Sequence, residues 1–254
     1  MHKRTLITGG VRRLGLHIAY GFAERHAILG LNYLHATERE ADHAQSECLK
    51  RGATQVFLIK GDVTKEAEAI VGRFAKLAGG IDVVVSNAGV FPKRHSLNDL
   101  TLKQFEETLS LNLLAPFAIS KASASHMMNG GAIINLASLG GMQIWKERID
   151  YNVSKSALIT LTKALARELA PKNITVNAVA PGAIQVDSPE GAAVGAHHTD
   201  LHHAELGIAE EKIPLGRYGT PENIVRAVLY FAYDAPYVTG QTLVVDGGRS
   251  VING

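Results

Sequence analysis

Residues 3–15 read KRTLITGGVRRLG, and this segment is the clearest indication of the fold in the sequence. A short run rich in β-branched residues comes first and predicts a buried strand. The pair Gly9 and Gly10 then permits a tight turn, and an apolar helical pattern follows through Ile18 and Phe22. A strand, a glycine turn and a helix in this order present the free N–H groups of the helix amino terminus to a bound pyrophosphate.

The rest of the chain repeats this alternation of short apolar runs and helical patterns. Such alternation predicts βαβ units, and right-handed crossovers wind them into a doubly wound parallel sheet. At 254 residues and 46% hydrophobic content, the chain is long enough for one well-buried domain over 1–254. We therefore expect a single Rossmann-type α/β domain of about seven strands. The expected strands lie near 3–8, 27–33, 54–60, 81–86, 131–137, 173–179 and 241–245.

The strongest chemical signal is the segment YNVSK, in which Tyr151 and Lys155 lie four residues apart. Apolar residues recur at spacings of three and four over 150–167, which predicts a helix with the phenol and the ammonium on one face. A free tyrosine has a pKa of about 10, and a neighbouring cation favours the phenolate. We therefore expect Lys155 to lower the pKa of Tyr151, and Ser138, thirteen residues earlier, to hydrogen-bond the substrate oxygen.

Taken together, the glycine turn and the Ser, Tyr and Lys residues resemble the short-chain dehydrogenase/reductase superfamily over nearly the whole chain. Four further segments match that family's pattern: Asp62-Val63, Ser86-Asn87-Ala88-Gly89, Asn112 within LNLLAP, and Pro181-Gly182. Arg13, where the family usually has glycine, resembles the pteridine reductase branch. Ser138 departs from that branch, which usually has aspartate at this position. The rest of the chain looks more like 3-oxoacyl-(acyl carrier protein) reductases.

The resemblance implies a role for each residue of the catalytic group. Tyr151 is the general acid in reduction and the general base in oxidation, Lys155 also holds the nicotinamide ribose, and Ser138 polarises the substrate oxygen. Asn112 stabilises a helix kink and a water linked to Lys155. The expected cofactor-binding residues are Thr8, Gly9, Gly10, Arg12, Arg13, Leu14, Gly15, Tyr33, Asp62, Val63, Asn87, Ala88, Gly89, Tyr151, Lys155, Pro181, Gly182 and Ile184.

The end of the second strand indicates which nicotinamide cofactor is used. NAD-selective folds commonly place an acidic residue there for the ribose 2′-hydroxyl. This strand ends in Tyr33, with His35 beyond it and no acid until Glu38. Arg12 and Arg13 flank the same pocket, and guanidinium groups suit phosphate recognition. We therefore expect NADP(H) to be preferred over NAD(H).

Composition excludes several other classes. The formal net charge is +2 with no long basic run, so nothing favours a nucleic-acid partner. No apolar run approaches membrane-spanning length, and the first strand is expected almost at the start of the sequence, so we expect neither a membrane span nor a signal peptide. The single cysteine, Cys48, excludes an intrachain disulfide and is interpreted as a bystander. A cytoplasmic protein is the simplest expectation.

The segment 187–217 is expected to cover the substrate. Histidines 197, 198, 202 and 203 cluster there, but no acidic or cysteine ligand pattern accompanies them, so we expect no metal site. Met142 and Trp145 lie between Ser138 and Tyr151 in the sequence. They are interpreted either as walls of the substrate pocket or as ordinary core residues.

Assembly is expected to follow the family, whose members pair through the two long helices after the fourth and fifth strands. The first helix is expected over about 101–128, and the second offers small residues for close approach. The last strand, 242–245, is an apolar edge that a second subunit would cover. These features predict a homotetramer arranged as a dimer of dimers. The candidate contact residues are Leu109, Leu113, Phe117, Met127, Ala157, Thr160, Leu161 and Ala164.

The leading functional hypothesis is an NADPH-dependent oxidoreductase that transfers hydride between nicotinamide and a small carbonyl or alcohol substrate. A pterin or dihydrofolate reductase is the alternative that Arg13 favours and Ser138 disfavours. A dinucleotide-binding regulator without activity is the alternative of a different class. The presence of Ser138, Tyr151 and Lys155 together argues against it.

Overall fold

The computed structural model describes residues 2–128, 130–186 and 209–251. Its centre is one seven-stranded parallel sheet in the order β3-β2-β1-β4-β5-β6-β7. The strands are β1 Arg4–Ile7, β2 Ile28–Tyr33, β3 Gln55–Lys60, β4 Val83–Ser86, β5 Gly131–Leu136, β6 Ile174–Pro181 and β7 Thr242–Val245. The predicted doubly wound parallel sheet is confirmed, and each expected strand overlaps an observed one.

Helices cover both faces of the sheet. They are α1 Arg13–Ala23, α2 Glu38–Lys50, α3 Ala67–Ala78, α4 Leu102–Leu109, α5 Ala115–Ser123, α6 Ile149–Leu169 and α7 Pro221–Leu229. A π-helical segment, Ser110–Leu114, joins α4 to α5. Capping boxes begin α2 and α4, where Thr37 pairs with Glu40 and Thr101 with Gln104.

Two apolar cores lie on opposite faces of the sheet. One is formed by α1, α2 and α7, with Phe22 and Ile224 fully buried, and the other by α3, α5 and α6, with Phe74 and Ile119 buried. From β1 the chain winds outward to β3, then returns to β4 beside β1 and winds outward to β7. This reversal opens a crevice at the carboxyl ends of β1 and β4, where ligands bind in doubly wound sheets.

The predicted assembly residues differ in burial. Three of them are half-buried: Leu109, Leu113 and Ala157. Met127 is buried in the core and Leu161 packs against it, so neither lies on an outer face. Phe117, Thr160 and Ala164 are exposed. Among the described residues, β7 is an edge strand whose one neighbour is β6. The reason for the difference is that Leu161 and Leu165 continue the buried side of α6.

Two further expectations concern Cys48 and the membrane. Cys48 lies on α2 and is fully buried in the apolar core formed by α1, α2 and α7. Burial raises the pKa of its thiol to about 12. Within the described ranges, none of the helices combines the length and apolar character needed to cross a membrane.

Candidate active site

The glycine turn after β1 forms a tight cradle at the amino terminus of α1. Gly9 has φ +62°, a left-handed conformation that favours glycine. A Cβ on Gly15 would lie 2.0 Å from the carbonyl oxygen of Gly9, so only glycine fits there. The first turn of α1 carries no acidic residue, and Leu14 packs its side chain against the core. The cradle therefore offers backbone groups and space to an anion.

Thr8 and Asn87 fix this cradle to the end of β4. The Thr8 hydroxyl accepts from the backbone N–H groups of Asn87 and Ala88, each at 3.0 Å. The Asn87 side chain donates to the carbonyl oxygens of Thr8 and Gly9 at 3.0 and 3.1 Å. The predicted residues of the two strand ends thus come together and brace the turn.

Arg12 and Arg13 lie exposed at the start of α1. Arg13 has φ +51°, which lies in the left-handed region that glycine adopts most easily. This conformation explains why glycine is the usual residue at this position in short-chain dehydrogenases/reductases, the family that the sequence resembles. Arg12 Nη1 lies 3.6 Å from Glu40 Oε1, on the first turn of α2. Sequence patterns did not predict this ion pair, because the whole of β2 separates Arg12 from Glu40 along the chain. The only local pattern that indicated the position of Glu40 is the capping box with Thr37, which places Glu40 in the first turn of α2.

The expected adenine-side residues follow the next strands. Tyr33 ends β2, and Asp62 and Val63 follow β3, at the same edge of the sheet as the glycine turn. The Asp62 carboxylate accepts from the Thr64 hydroxyl at 2.7 Å and from its backbone N–H. These bonds, together with Lys65, hold the pKa of Asp62 below its usual value.

Ser138, Tyr151 and Lys155 converge between the end of β5 and α6. The Ser138 hydroxyl accepts from the Gly140 backbone N–H at 3.1 Å and also contacts the Tyr151 phenol. Lys155 Nζ lies 5.9 Å from the centre of the Tyr151 ring and donates to the carbonyl oxygen of Leu136 at 2.8 Å. The helix expected over 150–167 is present, and it carries Tyr151 and Lys155 one turn apart, with Ser138 beside the phenol.

The expected direction of the pKa shift is wrong for this arrangement. Burial raises the pKa of Tyr151 to about 12, and the Ser138 contact and the charge of Arg148 lower it only in part. Lys155 is itself buried, which lowers the pKa of its ammonium to about 8. For Tyr151, desolvation outweighs the Ser138 contact and the Arg148 charge that favour the phenolate, a balance that helix spacing cannot reveal.

Asn112 lies in the π-helical segment and is fully buried. Its side-chain amide donates to the Val90 carbonyl and to the Ser154 hydroxyl at 2.9 and 3.1 Å, and its oxygen accepts from the Val90 N–H at 2.8 Å. A Cβ on Gly89 would lie 3.1 Å from Asn112 Oδ1 and 3.7 Å from Lys155 Nζ. Asn112 thus ties the loop after β4 to α6 beside the lysine.

Pro181, Gly182 and Ile184 form the other side of the crevice. Pro181 ends β6, and a Cβ on Gly182 would lie 2.6 Å from the Cβ of Asp246, so the chain passes closely over that residue. Ile184 forms an isolated parallel bridge with Gly219. The predicted loop 187–217 begins just beyond, and its residues 187–208, including all four histidines, lie outside the described residues.

Aromatic rings surround the Tyr151 phenol. Trp145 stacks on its ring with centroids 6.1 Å apart, and Phe91 meets it edge to face at 4.5 Å. Trp145 therefore belongs to the site, whereas Met142 is largely exposed. Phe91 and its neighbour Arg148 were missed from the sequence, since no spacing rule connects residue 91 with residue 151. The described residues contain no cluster of side chains able to hold a metal ion.

This site fits a nicotinamide dinucleotide. A Cβ at Gly9 or Gly15 would fill the cradle, so glycine leaves space there for a ligand. The cradle opens onto the amino terminus of α1, whose first turn carries no acidic residue. Free N–H groups without a neighbouring negative charge are what a pyrophosphate requires. The buried tyrosine, serine and lysine lie farther along the same carboxyl edge of the sheet. A dinucleotide turn and an acid–base group on one parallel sheet define the class of nicotinamide-dependent oxidoreductases.

The chain belongs to the short-chain dehydrogenase/reductase family. Residues 10–250 match the family model described as enoyl-(acyl carrier protein) reductase. A 3-oxoacyl-[acyl-carrier-protein] reductase of Staphylococcus epidermidis is 35% identical over 98% of this chain and 99% of that protein. An uncharacterized oxidoreductase of Thermotoga maritima is 33% identical over 98% of both chains.

Solved structures agree with the family. A blue fluorescent protein from a metagenomic library, in complex with NADPH, superposes with a TM-score of 0.84 at 32% identity and covers 97% of each chain. A putative short-chain alcohol dehydrogenase of Sinorhizobium meliloti superposes with a TM-score of 0.87 at 29% identity, over 100% of this chain and 98% of that one. The predicted resemblance and fold are therefore confirmed.

Proposed function

We propose that this protein is an NADPH-dependent carbonyl reductase in which Tyr151 is the general acid. The observation that carries the proposal is the buried phenol of Tyr151, in contact with the Ser138 hydroxyl and within one helix turn of Lys155. A phenol whose pKa lies well above neutrality is protonated at pH 7, which is the form that donates a proton during reduction.

Each residue of the group has one task in this mechanism. A bound NADPH supplies the hydride that the carbonyl carbon receives. Tyr151 donates its phenolic proton to the carbonyl oxygen, and Ser138 positions that oxygen by hydrogen bonding. The Lys155 ammonium stabilises the phenolate that forms, and Asn112 holds the loop beside it through the Val90 contacts. Phe91 and Trp145 exclude water around the phenol.

The preference for NADPH rests on charge at the adenosine ribose. Arg12 and Arg13 are exposed beside the glycine turn, and β2 ends in Tyr33 rather than in an acid. Guanidinium groups recognise phosphate through paired donors. Glu40 pairs with Arg12 at 3.6 Å, so a 2′-phosphate would compete with a carboxylate for this guanidinium. The blue fluorescent protein that superposes on this chain also binds NADPH.

We expect Arg12→Ala to weaken NADPH binding by roughly tenfold or more and to leave NADH binding nearly unchanged, because a hydrogen bond to a charged group contributes about 1.5–3 kcal/mol. Fluorescence titration with both nucleotides measures the effect. Arg167→Ala, an exposed arginine in the last turn of α6, is the matched control. Equal losses for NADPH and NADH in the Arg12 variant would contradict the assignment.

The proposed activity is tested by NADPH oxidation at 340 nm (the usual nicotinamide absorbance) against a 3-oxoacyl thioester, a quinone, a keto-sugar and a dihydropterin. Turnover of a ketone with NADPH preferred over NADH is expected. Turnover of the dihydropterin alone would favour the pterin reductase that Arg13 suggests. Nucleotide binding with no turnover in the whole panel would favour a regulator without activity.

We also propose that the protein assembles as a homotetramer. Beside α6 lies a groove of about 510 Å³ whose lining includes Ile149, Val153 and Ala157, and Phe117 is exposed on α5. The edge strand β7 leaves one side unpaired by the described residues. Light scattering at micromolar concentration is expected to give four times the chain mass of 27.2 kDa. A single chain mass would contradict this assembly.

A further inference from the structure

Arg148 is a buried cation close to the proposed acid–base residue. It lies immediately before α6, three residues ahead of Tyr151, and its relative exposure is 0%. Its guanidinium lies over the Phe91 ring, with Cζ 4.1 Å from the ring centre, and it donates to the carbonyl oxygen of Pro92. Arginine is almost never fully buried unless its charge serves a partner.

The Phe91 ring connects this cation to the phenol. It is held by the guanidinium through a cation–π contact, and it meets the Tyr151 ring edge to face, with centroids 4.5 Å apart and planes at 79°. Trp145 stacks on Tyr151 at 15° between planes. Arg148 and Tyr151 are both buried, so water screens the interaction between them only weakly.

Other charged and titratable groups lie on α6 and in the two loops that carry Phe91 and Arg148. Asp150 accepts from the Thr108 hydroxyl at 2.9 Å and from the Tyr151 backbone N–H at 2.8 Å. Lys155 is bound to the Leu136 carbonyl oxygen. In the flanking loops, Lys93 and Arg94 are exposed, Glu147 is half-buried, and His95 Nε2 lies 3.5 Å from the Gln104 amide.

We propose that Arg148 is a positioning residue of the active site, which fixes the Tyr151 ring through Phe91 and stabilises its phenolate with a buried charge. The inference rests on the proposed function, in which Tyr151 exchanges a proton with substrate. It assigns to Arg148 part of the electrostatic role expected of Lys155. Burial raises the pKa of Tyr151 and is the largest effect. The hydrogen bond with Ser138 and the charge of Arg148 both lower that pKa.

The test is a ¹⁹F NMR titration of protein labelled with 3-fluorotyrosine, whose phenol ionises at lower pH than tyrosine. The Tyr151 resonance is identified by its absence in Tyr151→Phe. In Arg148→Gln, which keeps a donor for Pro92, the apparent pKa of residue 151 is expected to rise by about one pH unit. Arg148→Met should raise the apparent pKa of residue 151 by the same amount, although its side chain packs differently. The test can therefore be made with whichever of the two variants folds.

Arg148→Lys is the matched control, because it keeps the charge. It is expected to titrate close to the parent protein, whereas both neutral variants shift. Unchanged titration in a folded neutral variant would overturn the proposal, and so would an equal shift in the lysine variant. The titration needs neither substrate nor cofactor, so its result does not depend on the activity panel. Absence of turnover in that panel would contradict the proposed function and not the role of Arg148.

Discussion

Replacing Tyr151 with Phe is expected to reduce the turnover of a carbonyl substrate by about 10²–10⁴-fold, the usual contribution of a general acid. The change removes one oxygen from a buried ring and keeps the ring contacts with Phe91 and Trp145. Steady-state rates with NADPH measure the loss. Nucleotide binding should remain nearly intact, since the cradle at Gly9 and Gly15 is untouched.

Tyr237→Phe is the control for this experiment. Tyr237 is fully exposed after α7, so the same chemical change there should leave both turnover and stability as in the parent. If Tyr151→Phe kept most of the activity, the phenol would not be the proton donor. A drop in both turnover and thermal stability of similar size would instead indicate damage to packing.

Replacing Gly15 with Ala is expected to abolish nucleotide binding at ordinary concentrations and to lower stability by about 1–3 kcal/mol, the usual cost of overpacking. The added Cβ would lie 2.0 Å from the Gly9 carbonyl oxygen and 2.6 Å from Asn87 Nδ2. Relief of these contacts requires movement of the turn itself, which is the part that would hold the pyrophosphate. Calorimetric titration with NADPH and thermal unfolding measure the two effects.

Gly72→Ala provides the matched control in the interior of α3. Apart from the neighbouring residues and the backbone of α3 itself, no atom of the described residues lies within 4 Å of a Cβ built on Gly72. Alanine also favours a helix over glycine. This variant should be more stable by about 0.4–1 kcal/mol and should bind NADPH as the parent does. Normal nucleotide binding by the Gly15 variant would contradict a role of the turn as the phosphate site.

Sequence patterns predicted the parts of the fold that depend on local periodicity. The strand and turn at residues 3–15, and the helix that carries Tyr151 and Lys155, follow from alternation, glycine and helical spacing within one segment. The meeting of Ser138 with Tyr151 also followed, because the resemblance fixed both positions.

The remaining features depend on contacts between distant segments. The Phe91 and Arg148 contacts join a loop after β4 to the start of α6, and no periodic pattern connects them. The pairing of Arg12 with Glu40 arises from the packing of α1 beside α2. The pKa of Tyr151 depends on how completely the aromatic rings exclude water, which the spacing of Lys155 could not give.

In the proposed mechanism, the Ser138, Tyr151 and Lys155 group promotes hydride transfer from NADPH to a carbonyl carbon. Incubation of the panel substrates with NADPH deuterated at the transferable C4 position tests this mechanism. Mass spectrometry is expected to find one deuterium at the carbinol carbon of the alcohol formed by the parent protein, and to find almost none with Tyr151→Phe. Oxidation of NADPH without deuterium in any product, or equal labelling by both proteins, would contradict this mechanism.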